Sequence, residues 1–198
     1  LILLASCSKY PPASERLLED LVVYTKYDTK ADFSDYNTFY MSDSVTYIDA
    51  KDTGWYYNQN VKEVTHRIAA NLTALGYTRS YNPKTADLAL GVAMVKNINV
   101  SVYYPGWWWG YPGYYPPDYW GGYQGYYYPY YPVSVTSYTT GTILIDMMDL
   151  KYPTVDKKIA IRWNAVIRGL LTGRHTLAEV EQALDQAFEQ TKGFYITR

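Results

Sequence analysis

The side chains that could carry out chemistry are few in this chain: one cysteine, two histidines and one cluster of aspartates. His66 falls on the polar side of a predicted helix, so it is expected to be solvated. His175 precedes a predicted helix cap in a tight connection, and it is expected to lie outside any pocket. Neither histidine has a partner at a spacing typical of metal ligands, so the sequence predicts no metal site and no cofactor.

Residues 28–35 bring three aspartates into one turn, and Ca²⁺ prefers clustered oxygen ligands. The spacing departs from an EF-hand loop and lacks its glycine and its bidentate glutamate, so these aspartates are expected to shape the turn and cap it. The chain also contains no nucleophile-elbow, phosphate-loop or dinucleotide-binding motif. We therefore predict that the protein is not an enzyme.

Cys7 is the residue with the most specific chemical expectation. It closes the run Leu-Ala-Ser-Cys at residues 4–7, directly after a short apolar stretch, and this pattern resembles the bacterial lipobox. In a lipobox the thiol carries a diacylglycerol thioether, and the cysteine becomes the new N-terminus after cleavage. Since two or more acyl chains hold a protein on a bilayer, residues 1–6 are predicted to be a signal-peptide remnant and residues 7–19 a lipidated tether. The alternative is an ordinary buried cysteine in a hydrophobic first strand.

Length and charge narrow the remaining possibilities. The 198 residues suit a single domain over residues 20–198. With eighteen Lys and Arg against nineteen Asp and Glu, there is no strong field to attract a polyanion, so nucleic acid is not an expected partner. Beyond residue 8 no stretch approaches the roughly 20 apolar residues that cross a bilayer. Since no segment after residue 8 is expected to span the bilayer, the expected contact with the membrane is through the N-terminal acyl chains.

Residues 103–132 form an aromatic insertion in which every residue except Asp118 and Gln124 is Tyr, Trp, Pro or Gly. Its six prolines and six glycines disfavour a regular helix or a central strand, so it is predicted to project from the sheet edge as the tip of a long hairpin. The candidate binding residues are Trp107, Trp108, Trp109, Tyr111, Tyr114, Tyr115, Tyr119 and Trp120.

Three interpretations of the aromatic insertion stay open. It could be a low-complexity, mobile loop whose rings pack on one another or on the domain surface. It could be a platform on which the sugar rings of peptidoglycan or another envelope glycan stack, or on which a partner protein docks. Its tryptophans could also rest at the membrane interface, where amphipathic rings are favoured. The absence of Lys and Arg argues against nucleic acid, because the phosphates would stay uncompensated.

Two segments have the periodicity of amphipathic helices. In the first, Asn60 is the predicted N-cap with Glu63 three residues later, and Gly76 is the predicted C-terminal stop. The second opens with a capping box formed by Thr176 and Glu179. The apolar stripes are Val61, Val64, Ile68, Leu72 and Leu75 in the first helix, and Leu177, Val180, Leu184, Ala187 and Phe188 in the second.

Runs rich in β-branched and aromatic residues predict strands at residues 21–24 and 38–41. Alternating apolar residues predict strands at residues 88–102, 143–145 and 159–167. A bulge or bend is expected near Lys96, and one face of the sheet is expected to be buried. Ile161 and Trp163 should share that face, with Arg162 opposite. The predicted fold is α+β: a two-layer sandwich of mostly antiparallel β-sheet, with two amphipathic helices on one face and a long aromatic-rich hairpin insertion.

Short motifs along the chain resemble one bacterial family. They are Tyr27-Asp28, Ala31-Asp32-Phe33-Ser34, Tyr36, Thr38-Phe39, Gly76-Tyr77, Ala86-Asp87-Leu88, Gly141-Thr142, Ile145-Asp146 and Arg162-Trp163. Their order is similar to that in the lipoproteins grouped as domain of unknown function family 4136, although this chain has Thr29 and Met41 where the family often has Pro and Trp. The resemblance implies an envelope lipoprotein of α+β fold with no established activity, so no catalytic residue carries over.

These features predict an outer-membrane lipoprotein that acts as a non-catalytic binding or structural module of the cell envelope. The periplasmic face is favoured, because the acidic run that often marks surface export is missing after Cys7. The expected partners are an envelope glycan or another envelope protein. The alternative is an envelope hydrolase whose carboxylates form no visible motif. A cleft with two or more buried, close-set acids would favour the hydrolase, and a projecting aromatic hairpin would favour the module.

Overall fold

The computed structural model describes residues 21–49, 53–96, 127–130, 141–152, 158–170 and 175–191. Cys7, the tether and the candidate binding residues of the aromatic insertion lie outside these ranges. No helix within them is long and apolar enough to cross a membrane. The strands are β1 (Val22–Tyr27), β2 (Thr38–Met41), β3 (Val45–Asp49), β4 (Thr53–Tyr56), β5 (Thr78–Ser80), β6 (Leu88–Lys96), β7 (Tyr127–Tyr130), β8 (Thr142–Asp149) and β9 (Lys158–Arg168), and the helices are α1 (Gln59–Ala74) and α2 (Leu177–Glu189).

The described strands form one sheet, and the fold is α+β as predicted. Its main path runs β1-β9-β8-β6-β2-β5, with β3 and β4 joined through β6 and β7 joined to β9. The long strands β1, β9, β8 and β6 pair antiparallel. The short strands β2 and β3 lie parallel to β6, and β2 lies parallel to β5. A parallel pair needs a long crossover connection, and between β2 and β5 the chain passes through α1.

Strand β7 lies inside the aromatic insertion. It pairs parallel with β9, and β9 is its one partner among the described strands. Proline is tolerated in an edge strand because its missing N–H faces no neighbour, and Pro129 lies in β7. This part of the insertion therefore belongs to the sheet, and the predicted hairpin tip lies outside the described residues.

Helix α1 begins earlier than predicted. Asn58 rather than Asn60 is the N-cap, because its backbone is extended and its Oδ1 accepts a hydrogen bond from the backbone N–H of Val61 at 2.8 Å. The predicted cap at Asn60 was wrong. Gly76 ends the helix as predicted: its φ of 99° lies in the left-handed region, where other residues pay a steric penalty.

Helix α2 has the predicted capping box. Thr176 Oγ1 accepts from the backbone N–H of Glu179 at 3.3 Å, and Glu179 Oε2 accepts from the backbone N–H of Thr176 at 2.6 Å. Leu177 departs from its predicted stripe, since it is exposed. The stripe residues that are buried are Val61, Val64, Ile68 and Leu72 in α1, and Leu184, Ala187 and Phe188 in α2.

Polar contacts also join the two helices. Arg67 of α1 forms an ion pair with Asp185 of α2, and Asn71 donates to the same carboxylate at 2.9 Å. The hydrogen bond from Arg67 holds the pKa of Asp185 below its ordinary value. Because the Arg67 side chain is exposed to solvent, this pair contributes little to stability.

Both helices cover the same face of the sheet, because their buried residues share one hydrophobic cluster with Phe39, Leu90, Ile145 and Trp163. The opposite face of the central strands is buried too. There Ala89 belongs to a second cluster, and β6 is buried in both registers from residue 88 to residue 95. The prediction of one buried face was therefore wrong for β6, since a central strand packs on both sides.

Strand β9 contains a β-bulge that alternation could not reveal. Met147 pairs with Trp163 and Met148 pairs with Ile161, so Arg162 is the extra residue. A bulge reverses the alternation of side chains. Trp163 accordingly packs in the cluster under the helices, whereas Ile161 packs in the cluster on the other face. The prediction that these two residues share a face was wrong for this reason.

Candidate functional site

The β9 bulge places Arg162 among three polar side chains from other elements. Its Nη1 donates to Oδ2 of Asp28 at 2.7 Å, and its Nε and Nη2 donate to Oδ2 of Asp149 at 2.9 and 2.7 Å. Tyr36 donates its hydroxyl proton to the same Asp149 oxygen at 2.8 Å. We name these four residues the Arg162 network.

The protein itself uses the hydrogen-bonding capacity of Asp149. The residue is 0% exposed, and its Oδ1 accepts the backbone N–H groups of Lys151 at 3.0 Å and Tyr152 at 2.8 Å. An ionised carboxylate offers about four lone-pair sites, which these donors, together with Arg162 and Tyr36, occupy. Asp149 therefore has no free acceptor for a substrate.

The electrostatics of the Arg162 network favour fixed protonation states. Burial opposes the charge on Arg162, but hydrogen bonds to Asp149 and Asp28 raise the pKa of its guanidinium above the ordinary value. Burial and the negative charge of Asp149 raise the pKa of the Tyr36 hydroxyl well above its ordinary value. General acid–base catalysis needs a group that titrates near the working pH, so these two groups are suited to holding structure.

The aspartates of residues 28–35 act as predicted in shaping the turn. Asp32 Oδ1 accepts from the backbone N–H of Ser34 at 3.0 Å and caps a short 3₁₀ turn. Asp28 Oδ1 accepts from the backbone N–H of Lys30 at 2.9 Å, while its other oxygen binds Arg162. Within the described residues, no three His, Cys, Asp or Glu side chains are grouped as metal ligands would be.

A pocket of about 290 Å³ lies where the two helices begin. Pockets that bind small molecules have volumes of about 300 Å³ or more, so the volume of this pocket is just large enough for a small ligand. We name it the His175 pocket. Its described lining residues are Tyr56, Asn58, Asn60, Val61, Val64, Met94, Ile143, Leu170, His175, Leu177 and Val180.

His175 is the buried polar group of this pocket. Its side chain is 2% exposed, and neither Nδ1 nor Nε2 has a hydrogen-bond partner in the described part of the chain. Nδ1 lies 3.9 Å from Oε2 of Glu179, which is beyond hydrogen-bond range. The expectation that His175 lies outside a pocket was wrong, because the capping box of α2 places the preceding residue between the helix starts. His66 is exposed as predicted.

Tyr56 lies at the His175 pocket and belongs to an aromatic run in the chain. Trp55, Tyr56 and Tyr57 are consecutive and exposed, and Tyr56 lines the pocket. The Asn58 amide donates to the Tyr56 hydroxyl at 3.1 Å, so that hydroxyl keeps its own proton as a donor. The sequence signal, a Trp-Tyr-Tyr run outside the aromatic insertion, was available but not recognised.

Comparison with known protein families assigns this chain. The family model described as Domain of unknown function (DUF4136) matches residues 23–190. The chain belongs to the DUF4136 family. A crystal structure of a DUF4136 family protein from Bacteroides thetaiotaomicron VPI-5482 is similar, with 30% identity and a TM-score of 0.75 over 90% of this chain and 99% of that one. The family resemblance predicted from short motifs is confirmed.

Two further solved structures are similar only at low sequence identity and low TM-score. The PelC dodecamer from Paraburkholderia phytofirmans is 10% identical, with a TM-score of 0.42 over 84% of this chain and 94% of that one. A PDZ domain protein from Parabacteroides distasonis ATCC 8503 is 12% identical, with a TM-score of 0.40 over 88% of this chain and 37% of that one. Similarity at this level does not indicate a function for this chain. A search of curated proteins finds no match.

The motifs that carry the DUF4136 resemblance meet in the Arg162 network. Asp28, Tyr36 and Arg162 belong to three separate motifs, and Asp149 joins them from the end of β8. The His175 pocket lies elsewhere, since none of these four residues lines it. The family motifs therefore point to a structural ion-pair network, and the pocket is a separate candidate site.

Proposed function

We propose that this DUF4136 protein is an outer-membrane lipoprotein whose domain faces the periplasm and acts as a non-catalytic binding module of the cell envelope. The lipid anchor rests on Cys7 and the lipobox-like run before it. The binding role rests on one structural observation, the His175 pocket. A buried polar group without a partner costs about 1–3 kcal/mol, and a ligand in the pocket would remove that cost.

The arrangement of buried acids supports a binding role over hydrolysis. Asp28 and Asp149 are buried and both contact Arg162, so the chain does hold two close-set acids. Both are paired with that arginine, however, and Asp149 has no acceptor to spare. A hydrolase needs one carboxyl group that can exchange a proton with substrate or water, and the paired state of these two carboxylates works against it.

A glycan is the second candidate ligand, and the exposed aromatic run at residues 55–57 favours it. Tyr56 of this run lines the pocket, and aromatic faces with a polar tip suit stacking on sugar rings. The described part of the aromatic insertion, β7, does not extend this surface. It pairs with the start of β9 at Lys158 and Ala160, whereas Leu170 of the pocket follows the other end of β9.

Site-specific photocrosslinking in intact cells tests the binding role. A photoreactive benzoylphenylalanine at position 177, on the exposed side of the pocket, should give a covalent adduct detected by mass spectrometry of the purified protein. The same residue at position 66 is the matched control, because His66 is exposed on α1 and does not line the pocket. The substitution Val180→Phe, which fills the pocket, should reduce the adduct at position 177. Equal adducts at positions 177 and 66 would contradict the binding role.

The anchor is tested by the substitution Cys7→Ser in protein produced from its native gene in a Gram-negative host. We expect the protein to move from the outer-membrane fraction to the soluble periplasmic fraction, because loss of the thiol removes every acyl chain that the lipobox would attach. Ser14→Ala in the predicted tether is the control and should stay with the membrane. A wild-type N-terminal peptide with an unmodified thiol would overturn the lipoprotein assignment.

A further inference from the structure

We infer that the His175 pocket binds a small aliphatic carboxylate, with its head group at His175 and the two helix starts and its tail against the apolar wall. This inference rests on the proposed binding function and adds the chemical class of the ligand. It rests on three features of the pocket: a buried imidazole whose nitrogens have no hydrogen-bond partner among the described residues, two helix N-termini and a mostly apolar lining.

The two helix N-termini face the same pocket. Asn58, Asn60 and Val61 line it from the start of α1, and His175 and Leu177 line it from the start of α2. A helix N-terminus carries roughly half a positive charge. The caps Asn58 and Thr176 already accept the N–H groups of Val61 and Glu179, so the charge of the helix ends, and not these two N–H groups, would attract the ligand. Two such ends in one pocket favour an anion over a neutral or cationic group.

His175 supplies the side-chain contact for that anion. An imidazole has at least one N–H in either protonation state, so it can donate to a carboxylate whether it is neutral or charged. The nearby carboxylate of Glu179 does not take this place, because its Oε2 already accepts the backbone N–H and the hydroxyl of Thr176 at 2.6 and 2.9 Å. No Asp, Glu, Lys or Arg is among the described residues that line the pocket.

The rest of the lining selects for an aliphatic tail. Apart from Tyr56 and the polar groups at the helix starts, the described lining is made of branched aliphatic side chains and one methionine. They come from both helices, from β6, from β8 and from the residues just after β9: Val61, Val64, Met94, Ile143, Leu170, Leu177 and Val180. Burial of apolar ligand surface there would supply most of the affinity, and the head group would supply the selectivity.

Three probes with the same tail and different head groups test the inference: octanoate, octan-1-ol and octyltrimethylammonium. The full-length chain carrying Cys7→Ser is titrated with each probe, below its critical micelle concentration, while the histidine ring signals are followed by NMR. With two histidines in the chain, the His175 ring signals should shift and those of His66 should not. Octanoate should bind about tenfold more tightly than octan-1-ol, which corresponds to about 1.4 kcal/mol, and octyltrimethylammonium should bind most weakly.

The substitution His175→Phe keeps a ring in the pocket and removes the donor. It should weaken octanoate binding about tenfold and change octan-1-ol binding by less than about twofold, since each tenfold step corresponds to 1.4 kcal/mol of head-group contact. His66→Phe is the matched control and should change neither affinity. If His175→Phe does not fold, His175→Gln keeps an N–H donor and should retain most of the preference for octanoate.

The outcomes separate this inference from the proposed function. Binding of octan-1-ol or octyltrimethylammonium as tightly as octanoate would overturn the carboxylate inference, while the pocket would remain a binding site. An adduct at position 177 without binding of any probe would also overturn the inference and leave the binding module standing. No adduct and no probe binding together would overturn both.

Discussion

The substitution Arg162→Met is expected to lower the free energy of unfolding by about 3–5 kcal/mol, because removal of one partner from a buried ion pair leaves an uncompensated charge. Asp149 is 0% exposed and would lose the two charged donors that Arg162 supplies. Asp28 would lose its contact with Arg162 Nη1 as well. Chemical denaturation followed by circular dichroism measures the change. A loss of this size is a large share of the stability of a typical domain.

Two variants show whether the unpaired charge is the cause. Asp149→Asn combined with Arg162→Met removes that charge and keeps an oxygen for the backbone N–H groups of Lys151 and Tyr152, so the double variant should be more stable than Arg162→Met alone. Arg67→Met is the matched control: the Arg67 side chain is 42% exposed, and the loss of its ion pair should cost much less than the loss of Arg162. Equal losses at Arg162 and Arg67, or no rescue by the asparagine, would refute this account of the Arg162 network.

The neighbouring substitution Trp163→Ala is expected to lower the free energy of unfolding by about 3–5 kcal/mol, the range for removal of a large buried aromatic side chain. Trp163 is 1% exposed, and its ring stacks on Phe188 of α2 with 5.0 Å between centroids. Its Nε1 donates to Thr191 Oγ1 at 2.9 Å. The alanine would therefore leave a cavity between the sheet and α2. Thermal and urea denaturation give the measurement.

Smaller changes divide the role of Trp163 into packing and hydrogen bonding. Trp163→Phe keeps a ring against Phe188 and loses the indole N–H, so its expected cost is about 1–2 kcal/mol. Trp55→Ala serves as the control, because Trp55 lies in the exposed aromatic run and its loss should cost about 1 kcal/mol or less. A loss at Trp163 no larger than that at Trp55 would mean that α2 is not anchored through this ring.

Sequence patterns correctly predicted the helix features that depend only on residues close together in the chain. The capping box of α2 and the glycine stop of α1 depend on residues within one helical turn, and both are confirmed. The N-cap of α1 was placed at Asn60 instead of Asn58, since both asparagines satisfy the same local rule. Which one caps depends on the direction from which the chain leaves β4, and a capping pattern does not contain that direction.

The sequence predicted some residues of the Arg162 network but not the His175 pocket. Asp28, Tyr36 and Arg162 belong to the family motifs. Their contact with one another could not be predicted, because a single extra residue in β9 sets the position of Arg162. His175 was assigned to a connection without a pocket. Its surroundings come from β4, both helices, β6, β8 and the residues just after β9, so no segment of the chain by itself carries a signal for the pocket.

The sequence alone predicts the α+β class, the family and both amphipathic helices. Periodicity and capping depend on residues only a few positions apart, so a single sequence shows them. Only the tertiary structure decided which face each residue of β9 presents, which acids pair with Arg162, and that the buried His175 ring has no hydrogen-bond partner in the part of the chain that the structure describes. A bulge, an ion pair and a pocket each depend on residues brought together from distant parts of the chain. Such contacts exist only after the sheet has fixed its register.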